Sequence, residues 1–275
     1  MEISEWKWKS SDGLDMYARG WAPQGQPKAA IMLIHGHGEH VGRYDHVAAA
    51  LTENGYAMLG FDLRGHGKSA GTRGHTPSYN ALMDDIASFS QQVDQRYAGL
   101  PRFLYGHSMG GNLVLNYALC RKPDLGGVIA TGPWLKLAFD VKASQMIPIK
   151  VLNRIAPGFY QHSPVAAEQL SHDQAIARAY QQDPMVHDLI SIRLLLVIHD
   201  SGLWALEHAA EFPLPLLMMH GAADPVTSAE ASQEFAGKAG DKVTLKLWDG
   251  MYHEIHNEPE QAQVFAYMLD WLEQH

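Results

Sequence analysis

The chain has 275 residues, of which 46% are apolar and 19% charged, enough for one large core or a core carrying an insertion. A formal net charge of −9 with no Lys/Arg cluster argues against a nucleic-acid surface and against simple electrostatic docking on anionic lipid. The single cysteine, Cys120, excludes an intrachain disulfide and a multi-cysteine metal site.

In chain order, Trp6 to Lys9 and Leu14 to Trp21 flank Ser10-Ser11-Asp12-Gly13 and read as an antiparallel hairpin. No apolar h-region precedes them, and no stretch reaches the ~18 apolar residues of a spanning helix, so a soluble, cytoplasmic protein is expected. Ala29 to Ile34 is a continuous apolar run, as in a strand covered on both faces. It ends in His35-Gly36-His37-Gly38-Glu39-His40. Tyr44 to Glu53 reads as helix and Tyr56 to Phe61 as strand, the latter ending in Asp62 to Ser69. Asn80 to Tyr97 is an amphipathic helix, and Leu125 to Thr131 a further strand.

Between these two lies Phe103 to Cys120: a short apolar strand, then Gly106-His107-Ser108-Met109-Gly110, then a helical pattern. Leu113, Tyr117 and Cys120 can share its apolar face, so Cys120 reads as a small buried hydrophobe. From about Trp134 to Glu211 the pattern is helical, interrupted by Pro148, Pro157, Pro164 and Pro184. Residues 135–207 are expected to form a helical cap inserted into a core built from 1–134 and 208–275. Leu189 to Ile198 fits helix or strand equally. The sheet resumes at Leu216 to Met219, ending in His220 to Pro225. Helix Glu230 to Ala236, strand Val243 to Leu247, the loop Trp248 to His253 and helix Glu260 to Leu272 follow. Strands alternating with helices predict an α/β fold with a mainly parallel sheet, its chemistry at the carboxyl ends of the strands.

Strand, tight turn and helix around G-x-S-x-G form the setting of a nucleophile elbow. Ser108 would stand at a helix N-terminus, which favours a developing oxyanion. A serine needs a base, and the base a carboxylate. His253, just past the last strand, is the expected base ahead of His256, and Asp224 the expected acid ahead of Asp249 and Asp200. The oxyanion would be held by the backbone N–H groups of Met109 and His37. Two competing patterns are weaker. His35-x-His37-x-Glu39-His40 approaches the H-x-H-x-D-H of binuclear metallohydrolases, but has Glu for Asp and leaves the elbow unexplained. Gly67-Lys68-Ser69 lacks the first glycine of a P-loop, since position 62 is Asp62. No metal is expected.

With these residues the chain resembles the α/β-hydrolases of the monoacylglycerol lipase and lysophospholipase-like group, within the serine aminopeptidase S33-type hydrolases. The match runs over nearly the whole chain: His35 to His40 with Arg43-Tyr44 against HGxGEHxxRY, Asp62 to Ser69 against DxxGHGxS, Gly106 to Gly111 against GHSMGG, and His220 to Asp224 against HGxxD. The resemblance implies an α/β-hydrolase fold with a helical cap over an acyl-chain channel. It also implies no cofactor and hydrolysis of a monoacylglycerol-like ester with one acyl chain. Glu39, Arg43 and His256 would shape the polar end that holds the glycerol, or brace the loops as a buried network. Transient contact of the cap with a membrane or micelle surface remains open. So do lysophospholipase, general carboxylesterase, proline-iminopeptidase-type peptidase and non-catalytic ligand-receptor readings.

Overall fold

The structure, a computed structural model, describes residues 1–139 and 143–275, with backbone alone at 143–145. Residues 140–142 of the expected cap lie outside that description. Glu2–Lys9 (β1) and Asp15–Ala22 (β2) pair antiparallel, with Trp6 opposite Ala18 and Trp8 opposite Met16. Ala30–Ile34 (β3) is buried at every position, as its unbroken apolar sequence requires. A 3-10 turn leads to helix Asp45–Glu53 (α1), and Ala57–Phe61 (β4) follows, again buried throughout. Ser78 caps Tyr79–Arg96 (α2) by accepting the Ala81 N–H at 3.1 Å. Arg102–His107 (β5), Met109–Arg121 (α3) and Gly127–Thr131 (β6) complete the first half.

The chain then leaves the sheet for Ala143–Ile155 (α4), Tyr160–His162 (β7), Gln174–Gln182 (α5), Leu189–Ser191 (β8) and Ile192–Glu207 (α6). It returns with Leu216–Gly221 (β9), Ala229–Ala239 (α7), Val243–Trp248 (β10) and Gln261–Leu272 (α8). The eight-stranded sheet has the order β1-β2-β4-β3-β5-β6-β9-β10. It is parallel from β4 to β10, with the β1–β2 hairpin joined antiparallel at β4. One face is covered by α2, α3, α6 and α7 through Phe89, Leu113, Ile198 and Phe235. The other is covered by α1 and α8 through Val47, Leu51, Met268 and Trp271. These two buried layers fix the strand ends, and hence the loops that carry the chemistry.

Two local expectations are corrected and one open reading is resolved. Pro148 does not break its segment, because α4 runs through it. A proline removes one N–H from the ladder, and the packing of Met146, Ile149 and Leu152 on Ile192 and Leu196 holds the helix together. The ambiguous run from Leu189 is both strand and helix. It pairs as β8 with β7, then turns helical where Ser191 accepts the Leu194 N–H at 3.1 Å. Cys120 is exposed, not buried. Helix α3 is buried on every side from Met109 to Leu119, so no apolar face exists to cover its last turn.

Candidate active site

Strand β5 ends at His107 and α3 begins at Met109, so the turn falls on Ser108 alone. Ser108 has φ 55° and ψ −117°, and among described non-glycine residues only it and Lys122 have positive φ. Such a conformation costs about 1–3 kcal/mol and persists only where the surroundings enforce it. Here the enforcing contacts are backbone against backbone. A methyl on Gly106 would lie 2.3 Å from the Gly110 carbonyl oxygen, and one on Gly110 2.0 Å from that of Ile34. The Ser108 side chain makes no capping bond to α3. Its hydroxyl instead donates to His253 Nε2 at 2.9 Å.

His253 follows β10, and its Nδ1–H donates to Asp224 Oδ2 at 2.7 Å. Asp224 stands in the turn after β9, held from both sides. Its Oδ1 accepts the Val226 and Thr227 N–H groups at 2.7 and 3.0 Å. Oδ2 also accepts from His220 Nε2 at 3.0 Å and lies 2.9 Å from Thr227 Oγ1. Burial opposes ionisation of Asp224, yet the His253 ring and these donors outweigh it and hold the carboxyl far below its usual range. For His253, burial disfavours the imidazolium, but the charge and hydrogen bond of Asp224, backed by Glu254 and Glu39, raise its pKa above 6.5. Every other described histidine with a displaced pKa moves down, chiefly through burial: His35 and His256 to about 3, His37 to about 4. His253 is therefore the ring suited to carry a proton transiently.

Beside Ser108 runs the loop after β3. A methyl on Gly36 would sit 3.2 Å from Ser108 Cβ. The backbone N–H groups of His37, in this loop, and of Met109, directly after Ser108, meet no acceptor among the described residues. Ser108 and His253 open onto a cavity of about 370 Å³. Its lining includes Glu39, Arg43 and Glu254, and the apolar side chains of Leu137, Met146, Ile149, Leu195 and Val226.

Of the three residues expected at the polar end, Glu39 and Arg43 reach the cavity and His256 does not. His256 lies in the 3-10 turn Ile255–Asn257, whose backbone turns its ring inward to stack on Tyr44 at 5.1 Å and to meet His107 edge-on at 4.7 Å. Glu254, adjacent to His253, and Thr227, which with His220 holds Asp224, stand outside the expected site residues. An acid next to the expected base, and a His four residues before the expected acid, were the available signals. The residues of the H-x-H-x-E-H stretch diverge: His35 bonds Gly36 O and Leu63 N, His37 bonds Leu189 O, and Glu39 takes Gly36 N. Among the described residues no cluster of His, Cys, Asp and Glu is arranged to hold a metal ion.

Comparison with known proteins places this geometry. The profile of the serine aminopeptidase S33 family matches residues 25–260. The chain is 35% identical over 268 residues to an uncharacterised abhydrolase domain-containing protein of Dictyostelium discoideum, covering 96% of this chain but only 28% of that larger relative. It is 32% identical over 257 residues to a monoacylglycerol lipase of Mycolicibacterium smegmatis, covering 93% of this chain and 91% of the relative. The crystal structure of a Paleococcus ferrophilus monoacylglycerol lipase superposes with a TM-score of 0.83 at 32% identity, over 99% of this chain and 98% of that one. The fold, the strained serine turn and the extent of these matches lead to one conclusion: the chain belongs to the serine aminopeptidase S33 family of α/β-hydrolases.

Proposed function

We propose that the protein is a serine esterase that hydrolyses monoacylglycerols to glycerol and a free fatty acid. The observation that carries this reading is the unbroken hydrogen-bonded chain from Ser108 through His253 to Asp224, opening on a cavity lined both by the Glu39–Arg43–Glu254 cluster and by many apolar side chains. Ser108 Oγ attacks the ester carbonyl as His253 Nε2 takes its proton. The carbonyl oxygen, now negative, is held by the N–H groups of His37 and Met109. The C–O bond then breaks and the imidazolium returns its proton to the departing glycerol oxygen. Water, deprotonated by His253, attacks the acyl-serine and releases the fatty acid, restoring Ser108. No cofactor takes part in any of these steps.

Residues 135–207 act in this reading as a cap over the acyl chain. An apolar wall suits a substrate with one long chain, since each buried methylene is worth about 0.8 kcal/mol. An aminopeptidase reading would need acidic groups free to bind an ammonium. Glu39 and Glu254 are both engaged with Arg43, and Asp188, the remaining acid on the cavity wall, is exposed and pairs with His162 at 2.9 Å. The test is a panel of monoacylglycerols of rising chain length beside a lysophospholipid and a prolyl amide. Monoacylglycerols are expected to have the highest kcat/KM and the prolyl amide none that is measurable. Faster cleavage of the lysophospholipid or the amide would overturn the substrate assignment.

Contact of the cap with a lipid surface belongs to the same proposal. Ile147, Val151 and Ile155 recur every four residues on α4 and are 65%, 52% and 77% exposed, with Phe159 beyond them at 57%. Among the described residues no helix is long and apolar enough to cross a membrane. With a net charge of −9, uncharged lipid is the favoured surface. Replacing the three aliphatic residues by Gln is expected to weaken partition onto phosphatidylcholine vesicles by about 10-fold or more. Cleavage of soluble p-nitrophenyl butyrate should remain within about twofold of wild type. Unchanged sedimentation with vesicles would contradict it.

A further inference from the structure

Next to His253 lies a buried ionic cluster that the steps above leave unused. Glu254 accepts both arms of the Arg43 guanidinium, at 2.7 Å on Oε1 and 2.8 Å on Oε2, and Oε2 also takes the Asn257 amide at 2.6 Å. The same Arg43 Nη1 donates to Glu39 Oε2 at 2.7 Å. On its other oxygen, Glu39 accepts the Gly36 backbone N–H at 2.6 Å and the Tyr44 hydroxyl at 2.8 Å. Tyr180, from the inserted segment, covers the guanidinium at 4.8 Å. Both carboxylates are 3% exposed in their side chains and Arg43 11%, so neither solvent nor mobile counter-ions replace these bonds.

The path therefore runs from the residue after the expected base, through one arginine, to the N–H of the residue before an expected oxyanion donor. We propose that Glu254 is a positioning residue that, through Arg43 and Glu39, clamps the His37 loop to the His253 loop and so sets the oxyanion hole against the nucleophile. The proposal rests on the esterase reading. Two loops of separate strands, more than 200 residues apart in sequence, must hold their reacting atoms in register, and a misplacement of about 1 Å costs about 100-fold in rate. A bidentate arginine is the side chain that fixes orientation as well as distance. The charge also matters. His253 is faced by the carboxylates of Asp224, Glu254 and Glu39, by the rings of His107 and His256, and behind Asp224 by His220, while the Arg43 cation sits between Glu39 and Glu254. Glu254 favours the protonated ring, so its neutralisation lowers the pH at which the base becomes available.

The test compares wild type with Glu254→Gln and Arg43→Lys on p-nitrophenyl butyrate, with thermal unfolding as a check on folding. Glu254→Gln is expected to lower kcat by about 100-fold with KM within about threefold. The acid limb of kcat/KM against pH should move to lower pH. Glu254→Asp, which keeps the charge, should return the limb to its wild-type position. Arg43→Lys, which keeps charge but loses the fork, should lose a similar factor in kcat, and answers the question if Glu254→Gln fails to fold. Wild-type kcat in either folded variant, or a loss confined to KM with an unmoved limb, would overturn the proposal. If Ser108→Ala keeps full activity the esterase reading falls first; if Ser108→Ala is inactive and Glu254→Gln is normal, only the clamp falls.

Discussion

Ser108→Ala is expected to lower kcat on a monoacylglycerol by about 10⁶-fold, the scale of loss when a triad nucleophile is removed. The Ser108 hydroxyl is the group hydrogen-bonded to His253 Nε2 among the described residues, and both line the cavity, so alanine leaves the base without its nucleophile. The variant should remain folded. Ser108 makes no capping bond to its helix, and alanine meets the same positive φ that serine already tolerates. Substrate affinity should persist, because the cavity wall is unchanged, and a small residual rate from the His37 and Met109 N–H groups is compatible with the mechanism. Steady-state kinetics on protein purified free of wild-type enzyme measures it. A residual kcat above about 1% of wild type would point to a different nucleophile.

Asp224→Asn is the second large effect, about 10⁴-fold in kcat, and it works through a tautomer. The carboxylate accepts at both oxygens: two backbone N–H groups on Oδ1, the His253 and His220 rings on Oδ2. An amide has one oxygen. If its oxygen satisfies Val226 and Thr227, its NH₂ faces His253 Nδ1 and drives the ring's proton to Nε2. There the proton points at Ser108, and the base is blocked. If the amide turns over, its NH₂ meets the two backbone donors instead, and an unsatisfied buried group costs about 1–3 kcal/mol of stability. Loss of kcat should therefore exceed the loss of stability by far, read by kinetics beside a denaturation curve. A variant within tenfold of wild-type kcat would mean that the Asp224–His253 bond does not govern the base.

Much of this architecture was legible because it is written locally. The short apolar runs of β3 and β4, bounded by loop residues, read as strands covered on both faces, and G-x-S-x-G between strand and helix marks a turn whose glycines let backbone pass close to backbone. The preference for His253 over His256 followed from nearness to a strand end. The structure adds a reason that no spacing rule contains: the 3-10 turn after Glu254 rotates His256 into the interior against Tyr44. What was not legible depends on contacts across long sequence separations. Glu39, Arg43 and Glu254 form one cluster only because the ends of β3 and β10 face the same cavity. Pro148 continues a helix because α6 supplies the packing, and Cys120 is exposed because α3 is buried all round and surfaces only at its end. Most of the apolar residues on the cavity, Leu137, Met146, Ile149 and Leu195, come from the segment between β6 and β9, where helical periodicity says which faces are apolar but not which of them face inward.

The central claim is that one hydroxyl, made nucleophilic by its hydrogen bond to His253, performs the hydrolysis. The most direct measurement is reaction with a fluorophosphonate followed by mass spectrometry of the labelled peptide. The expected result is one adduct per chain, on Ser108, with activity lost in step with labelling and no adduct in Ser108→Ala. A protein that goes on hydrolysing monoacylglycerol while unlabelled, or that carries its adduct on another residue as activity disappears, would contradict the claim.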